Sequence, residues 1–249
     1  MKHNIKIKEI GIFMLISLLV TSCGVGSESN DLKKDGLQYK TVKSPYTGRI
    51  WIDRNVGAHR ACLSATDEQC YGDYYQYGRN ADGHEKKNSQ LRFTPIAYLD
   101  QSDDRFVVYG FNVWFSGPKY ILKNNWAKLD GSSICPKNFR VATSSEFEAE
   151  LFVDGNSEEI SRRSDIVAQS LFNTFLKLPV AGARHWLGSR TYEYVGVHPW
   201  YWMLGEDALY IDNGLRFGDE FAAIGTGGQV RCIKATEEEL EEEKEIRGK

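Results

Sequence analysis

The residues with the clearest chemical potential lie in one turn, where Asp82 and Gly83 precede His84 and Glu85 follows it. A carboxylate next to an imidazole is a setting for general-base catalysis. The surrounding sequence Asn-Ala-Asp-Gly-His is more typical of a turn whose polar side chains bond their own backbone. Because no nucleophile, base and orienting group converge in the sequence, we expect no catalytic residue and a protein that is not an enzyme.

The spacing of potential ligands does not indicate a metal or a cofactor. Cys-x2-Cys spacing is absent, and His59, His84, His185 and His198 are scattered without metal-ligand spacing. The glycine-rich residues 225–228 lack the lysine of a phosphate-binding loop and are typical of a turn before a strand. We therefore expect no metal and no cofactor.

The best ligand-binding candidates lie in an aromatic-rich stretch near the end of the chain. Aromatic faces stack on sugar rings or partner side chains, and charged groups add directional contacts. The alternative is core packing, in which strand alternation buries Trp200 and Trp202 on one face and leaves Tyr201 on the other. The candidate residues are Trp186, Arg190, Tyr192, Trp200, Tyr201, Trp202 and Asp207.

Cysteine usage indicates an oxidising compartment. Apart from Cys23, the chain has four cysteines, an even set for which three disulfide pairings are possible. We expect Cys62–Cys70, which would close a short polar loop, and Cys135–Cys232, which would close about a hundred residues. In the chain-entropy model these bridges contribute roughly 2.5 and 4.7 kcal/mol.

Residues 1–22 have the organisation of a removable signal peptide. Lys2, Lys6 and Lys8 precede a mainly apolar run over residues 10–19. That run is shorter than the roughly 20 residues that a permanent transmembrane helix needs. It is therefore expected to be a targeting segment.

The leader ends in Leu-Val-Thr-Ser-Cys-Gly (19–24), which resembles a bacterial lipobox with Cys23 as the lipidated residue. A diacylglyceryl group, usually joined by a third chain, makes such anchoring durable. The alternative is an ordinary signal peptide followed by an incidental cysteine. By resemblance to enterobacterial sorting, Gly24 in place of Asp favours the outer membrane. We expect a cell-envelope protein whose membrane partner is reached through this lipid anchor.

Charge and composition divide the remaining chain. Residues 23–36 are small and polar, which predicts a flexible tether, and residues 37–235 form one folded domain. Residues 236–249 hold seven Glu against three basic residues, typical of a solvated acidic tail or a short surface helix. Removal of the leader changes the net charge from −3 to −5, most of it in the tail. The nearly neutral domain does not suit a nucleic-acid partner.

These residues must be positioned by short strands at both ends and two helices between them. Alternation predicts a hairpin over residues 37–53 and a last strand over 228–233. Thr143 and Glu146 form a capping box that begins one helix. A second amphipathic helix begins near Ser164 and ends before Pro179. The predicted class is α+β with a mostly antiparallel sheet.

Five separated blocks, in order, resemble the Fibrobacter succinogenes major paralogous domain over residues 37–235. They are Tyr-Lys-Thr-Val (39–42), Trp-Ile-Asp-Arg-Asn-Val-Gly (51–57), Tyr-Gly-Asp-Tyr-Tyr-Gln-Tyr-Gly-Arg-Asn-Ala-Asp-Gly-His (71–84), Cys-Pro-Lys-Asn-Phe-Arg-Val-Ala-Thr (135–143) and Gly-Gln-Val-Arg-Cys-Ile (228–233). One departure is Val141-Ala142, where the family usually has Leu-Pro.

The resemblance implies an exported protein, often a lipoprotein, with a C-type lectin-like fold. In that fold the N- and C-terminal strands pair, a long-range disulfide reaches the last strand, and late loops form the ligand surface. The Glu-Pro-Asn and Trp-Asn-Asp motifs of calcium-dependent sugar binding are missing here.

Together these observations predict a non-catalytic envelope lipoprotein whose domain recognises a glycan or protein ligand. The alternative is a structural envelope lipoprotein that docks to another envelope component without a small ligand.

Overall fold

The computed structural model describes residues 32–110, 113–153, 164–185, 192–205, 207–211, 215–218 and 224–247. Its strands are β1 Leu32–Lys34, β2 Leu37–Tyr39, β3 Thr41–Lys43, β4 Ile50–Ile52, β5 Tyr75–Gln76, β6 Leu91–Arg92, β7 Phe106–Val107, β8 Phe139–Val141, β9 Ala183–Arg184, β10 Tyr192–Glu193, β11 Trp200–Trp202, β12 Ala208–Ile211, β13 Leu215–Gly218, β14 Gly227–Val230 and β15 Cys232–Lys234. Its α-helices are α1 Tyr120–Ala127, α2 Ser144–Leu151, α3 Ser164–Asn173 and α4 Glu237–Arg247. The protein is therefore of the mixed α+β class, as predicted.

One antiparallel sheet joins the two ends of the domain in the order β3-β4-β15-β8. Trp51 of β4 pairs with Ile233 of β15, so the predicted pairing of N- and C-terminal strands is confirmed. Cys232 at the start of β15 is bridged to Cys135, with the two Cα atoms 5.9 Å apart. The predicted long-range disulfide thus fixes the segment before β8 to the last strand.

A second sheet has the order β10-β9-β14-β11-β12-β13, with β5 also paired to β14. Strands β11 and β14 run parallel, and the other pairs are antiparallel. A Cβ atom on Gly228 of β14 would lie 2.5 Å from Cδ1 of Trp200 and 3.0 Å from Cδ1 of Trp202. Glycine is required there because the two indoles pack directly on its backbone.

The core lies on both faces of β11. Trp202 packs in one cluster, with its ring centroid 5.4 Å from that of Tyr77. Tyr201 packs in the other, 6.1 Å from Phe147. Both rings are 0% exposed because each face of the strand is covered.

The capping box of α2 is confirmed. The backbone N–H of Glu146 donates to Thr143 Oγ1 at 3.3 Å, and the N–H of Thr143 donates to the Glu146 carboxylate at 2.9 Å. Helix α3 is also confirmed. Helix α1 was not predicted, although its buried Leu122 and Trp126 are four residues apart.

The domain begins earlier than predicted. Strand β1 pairs with β2 across a turn at Asp35 and Gly36, whose φ angles are +48° and +78°. Asp-Gly is the usual sequence of such a two-residue hairpin turn. The predicted flexible tether over 23–36 is therefore wrong for residues 32–36, and residues 23–31 lie outside the described residues.

At the other end, α4 occupies most of the predicted acidic segment 236–249, so the surface-helix alternative applies over Glu237–Arg247. Within the described residues, every helix is too short or too polar to cross a bilayer.

Candidate ligand pocket

A small, shallow pocket of about 40 Å³ opens where the turn between β10 and β11 meets the second sheet. Its described lining residues are Gly182, Ala183, Tyr194, His198, Pro199, Trp200 and Tyr210. The pocket lies within the aromatic stretch from which the sequence candidates were drawn.

The wall of the pocket is an aromatic stack. The rings of Tyr194 and His198 are nearly parallel, with centroids 4.6 Å apart and an interplanar angle of 13°. The Tyr194 carbonyl accepts from the N–H groups of Val197 and His198, both at 2.9 Å. Tyr194 is 59% exposed and has a φ of +60°, an uncommon value for a bulky residue. Strained backbone of this kind is found preferentially at functional sites.

Backbone bonds hold this turn against the segment before β9. Gly196 N–H donates to Val180 O at 2.8 Å, and Gly182 N–H donates to His198 O at 2.9 Å. Val180 N–H in turn donates to Ala65 O at 2.9 Å. Ala65 lies in the loop closed by the predicted Cys62–Cys70 disulfide, whose Cα atoms are 5.0 Å apart. The disulfide loop therefore braces the pocket through Val180.

Two further aromatic rings form the floor. The centroids of Trp200 and Tyr210 are 5.5 Å apart with a tilt of 31°, and Trp202 meets Trp200 edge-on at 6.2 Å. The indole N–H of Trp202 donates to Tyr75 O at 2.9 Å. The indole N–H of Trp200 is buried and has no acceptor among the described residues.

The described lining carries no carboxylate, ammonium or guanidinium group. Burial lowers the pKa of His198 below its usual value of 6.5, so its imidazole is neutral at pH 7. The aromatic, uncharged side chains of the described lining suit stacking against an apolar ring face.

Four of the predicted ligand residues can be placed relative to the pocket. Trp200 lies in the pocket, half-buried. Tyr201 and Trp202 are fully buried, and the expectation that they contact a ligand is corrected because neither ring has a face open to solvent. Asp207 is half-buried in the turn before β12 and does not line the pocket.

The remaining candidates cannot be placed at the pocket. Trp186 and Arg190 lie outside the described residues, and Tyr192 is described only as part of β10. Tyr194 and His198 were missed as site residues. The available signal was a pair of rings flanking a Gly-containing turn in Tyr-Val-Gly-Val-His.

The Asp82–His84–Glu85 group gathers three potential metal ligands. His84 is 0% exposed, and its Nδ1 lies 2.6 Å from Asp82 Oδ1. Its Nε2 accepts from the backbone N–H of Gln76 at 3.1 Å, which places the ring proton on Nδ1. A metal on Nδ1 would require the proton on Nε2, facing another donor. The group is therefore suited to holding the loop rather than an ion.

The same turn bonds its own backbone, as its sequence predicted. The N–H of His84 donates to Asp82 Oδ1 at 3.1 Å, and the N–H of Gly83 donates to Glu85 Oε2 at 2.9 Å. Burial, with the nearby Arg79, lowers the pKa of His84 to about 4. This histidine is neutral at physiological pH and is part of the core.

No family model, curated protein or solved structure matches this chain. What the pocket binds must therefore follow from its own lining.

Proposed function

We propose that this chain is an exported lipoprotein of the bacterial cell envelope whose domain binds a carbohydrate at the Tyr194–His198 pocket. The observation that carries this proposal is the parallel stack of the exposed Tyr194 on His198, which walls a pocket floored by Trp200 whose described lining is uncharged. The C–H face of a sugar ring packs on such aromatic faces, as apolar ring surfaces generally do. The absence of charge from the described lining favours a neutral sugar. The domain acts by recognition and not by catalysis.

Anchoring at the membrane, most simply the outer membrane, is part of the same proposal. Its support is the leader over residues 1–22, the lipobox that ends at Cys23, and Gly24 after it. The two cysteine pairs at disulfide distance also favour an oxidising compartment, where such bridges persist. Cys23 itself lies outside the described residues.

We propose further that the domain is lectin-like, in keeping with the five sequence blocks. The pairing of β4 with β15 and the Cys135–Cys232 bridge onto the last strand support this kinship. A pocket among the late strands is where a lectin-like domain would hold its ligand.

The decisive variant is Tyr194→Asn, because asparagine tolerates the left-handed backbone at this position while removing the ring. We expect glycan-array binding by the purified full chain to fall by roughly tenfold or more, since one stacked aromatic contact contributes about 0.5–1.5 kcal/mol beyond its buried area. Thermal unfolding should change little, because the ring is 59% exposed.

Val197→Ser is the matched control. Val197 lies in the same turn and is 49% exposed, but it does not line the pocket. Its substitution should leave glycan binding unchanged. If no neutral glycan binds the wild-type chain, or if Tyr194→Asn binds as well as wild type, the carbohydrate proposal fails and docking without a small ligand becomes the better account.

A further inference from the structure

The disulfide loop is connected to the wall of the aromatic pocket by two backbone hydrogen bonds in series. Ala65 O accepts from Val180 N–H at 2.9 Å, and Val180 O accepts from Gly196 N–H at 2.8 Å, in the turn between β10 and β11. Val180 is 0% exposed, so its N–H would lose its acceptor in a place that water does not reach if Ala65 moved away. The position of the loop therefore affects the turn.

The disulfide loop is held in shape by two separate features. One is the disulfide itself, which closes the loop. The other is the Asp67 carboxylate, which accepts from Arg60 Nη1 at 2.5 Å and Arg60 Nη2 at 2.9 Å, and from Leu63 N–H at 3.0 Å. Ala65 lies between Leu63 and Asp67, so the direction of its carbonyl group depends on both features.

The turn between β10 and β11 needs a bond from outside because part of its backbone is strained. Tyr194 has a φ of +60°, a conformation that persists where the surrounding structure holds it firmly. Inside the turn, Tyr194 O accepts from the N–H groups of Val197 and His198. Gly196 N–H instead donates outside the turn, to Val180 O. Loss of that bond would let the Tyr194 ring leave the stack.

The neighbours of Val180 are held by other parts of the domain. Tyr201 Oη donates to Pro179 O at 3.1 Å, and Tyr74 Oη donates to Ala181 O at 2.8 Å. Both tyrosines are buried in the core. A looser disulfide loop would therefore leave this segment on the domain and would change only Val180 and the turn bonded to it.

We propose that the disulfide loop positions the Tyr194–His198 stack and thereby sets the affinity of the pocket. The positioning residues are Asp67 and the bridged Cys62 and Cys70, none of which lines the pocket. The effect on affinity rests on the proposed function, whereas the effect on the turn does not depend on it.

Amide hydrogen exchange of the full chain, resolved by residue, tests the effect on the turn. In Cys62→Ser/Cys70→Ser, and separately in Asp67→Ala, we expect exchange at Val180 and Gly196 to be roughly tenfold faster, the factor expected for loss of about one buried hydrogen bond. Asp67→Ala keeps the disulfide, so it decides the question even if the double variant does not fold.

The internal reference is Ile96, whose N–H donates to Trp114 O at 3.0 Å outside the disulfide loop and the pocket. Its exchange should change little. The matched control is Glu68→Gln, which removes a carboxylate from an exposed position of the same loop and should leave exchange at Gly196 as in wild type. Unchanged exchange at Gly196 in a folded variant would overturn the proposal. So would equally faster exchange at Ile96, which would mean a loss of global stability.

Glycan binding tests the effect on affinity. Both loop variants should bind a neutral glycan roughly tenfold more weakly than wild type, because the binding-competent turn is less populated. Wild-type affinity in variants whose Gly196 exchanges faster would overturn the proposed control of affinity. A wild-type chain that binds no neutral glycan contradicts the carbohydrate proposal, while faster exchange at Gly196 still supports the positioning role of the loop.

Discussion

At the scale of single residues, the buried polar groups of the 73–85 segment serve the fold. The Gln76 side chain donates to Val107 O at 2.8 Å and to Gly225 O at 2.9 Å, so it ties two distant segments to β5. Its backbone N–H meets His84, whose ring also bonds Asp82. The acid and base side chains of this turn therefore bond other groups of the protein.

His84 gives a pH-dependent prediction. Burial holds its folded-state pKa near 4, below the ordinary value of 6.5, so the folded protein binds this proton less readily than the unfolded chain. Its contribution to stability is complete above pH 6.5 and is lost as the pH falls toward 4. Because one unit of pKa corresponds to about 1.4 kcal/mol, the free energy of unfolding should fall by about 3 kcal/mol over this range.

Denaturant unfolding of wild type and His84→Gln between pH 7 and pH 4 checks this. The difference between their free energies of unfolding should shrink as the pH falls. Burial raises the pKa of Asp73 to about 6, which has the opposite effect on stability as the pH falls. Because Asp73 is present in both proteins, its effect cancels in the difference between their free energies of unfolding. His59→Gln, at an exposed position, should reproduce the wild-type profile. A difference that stays constant with pH would mean that His84 is not a buried neutral histidine.

At the scale of elements, a buried carboxylate joins α2 to the first hairpin. Glu150 is 2% exposed and accepts from Ser44 Oγ at 2.6 Å, Thr47 Oγ1 at 2.5 Å and Trp51 Nε1 at 3.1 Å. Both oxygens of this carboxylate thus accept from donors of β4 or the turn before it. The Glu150 side chain therefore fixes α2 to the first hairpin by three hydrogen bonds.

Replacement of Glu150 by Gln should lower the free energy of unfolding by about 1–3 kcal/mol, because an amide N–H₂ would then face a donor. Glu148→Gln, on the exposed side of the same helix, should change it by less than about 0.5 kcal/mol. Urea denaturation of the two variants measures both values. Equal effects would show that Glu150 contributes no more than a surface charge.

The helices and strands also show which elements can be predicted from local sequence patterns. The Thr143 capping box and the β4 and β15 strands were predictable because their signals are local. The Asp35-Gly36 hairpin carried a local signal that the polar composition of the segment concealed. Helix α1 was missed because Asn124 and Asn125 interrupt its apolar pattern. The buried Asn125 side chain donates to Gly78 O and Asn80 Oδ1, which lie more than 40 residues away in the sequence.

The candidate site depended on contacts that no local pattern contains. Alternation correctly placed Tyr201 and Trp202 on opposite faces of β11, but the covering of both faces follows from the packing of distant elements. The Tyr194–His198 stack forms because their turn bonds to Val180 and Gly182. The aromatic content of the sequence predicted the region of the pocket. Which rings line the pocket depends on the tertiary fold.

At the scale of the whole molecule, two disulfides and the pairing of the chain ends make one bridged domain beginning at Leu32. Such bridges belong to proteins that fold outside the reducing cytoplasm. The proposed lipid at Cys23 would leave a short connection from the membrane to the domain. Export, bridging and anchoring are therefore parts of one proposal, and the proposed recognition function requires the domain to be outside the cytoplasm.

Intact-protein and peptide mass spectrometry of the chain recovered from bacterial membranes tests this account most directly. We predict an amino terminus at Cys23 carrying a diacylglyceryl group, and no alkylation of Cys62, Cys70, Cys135 or Cys232 before reduction. A chain that retains Met1 without lipid and has four free thiols would contradict it.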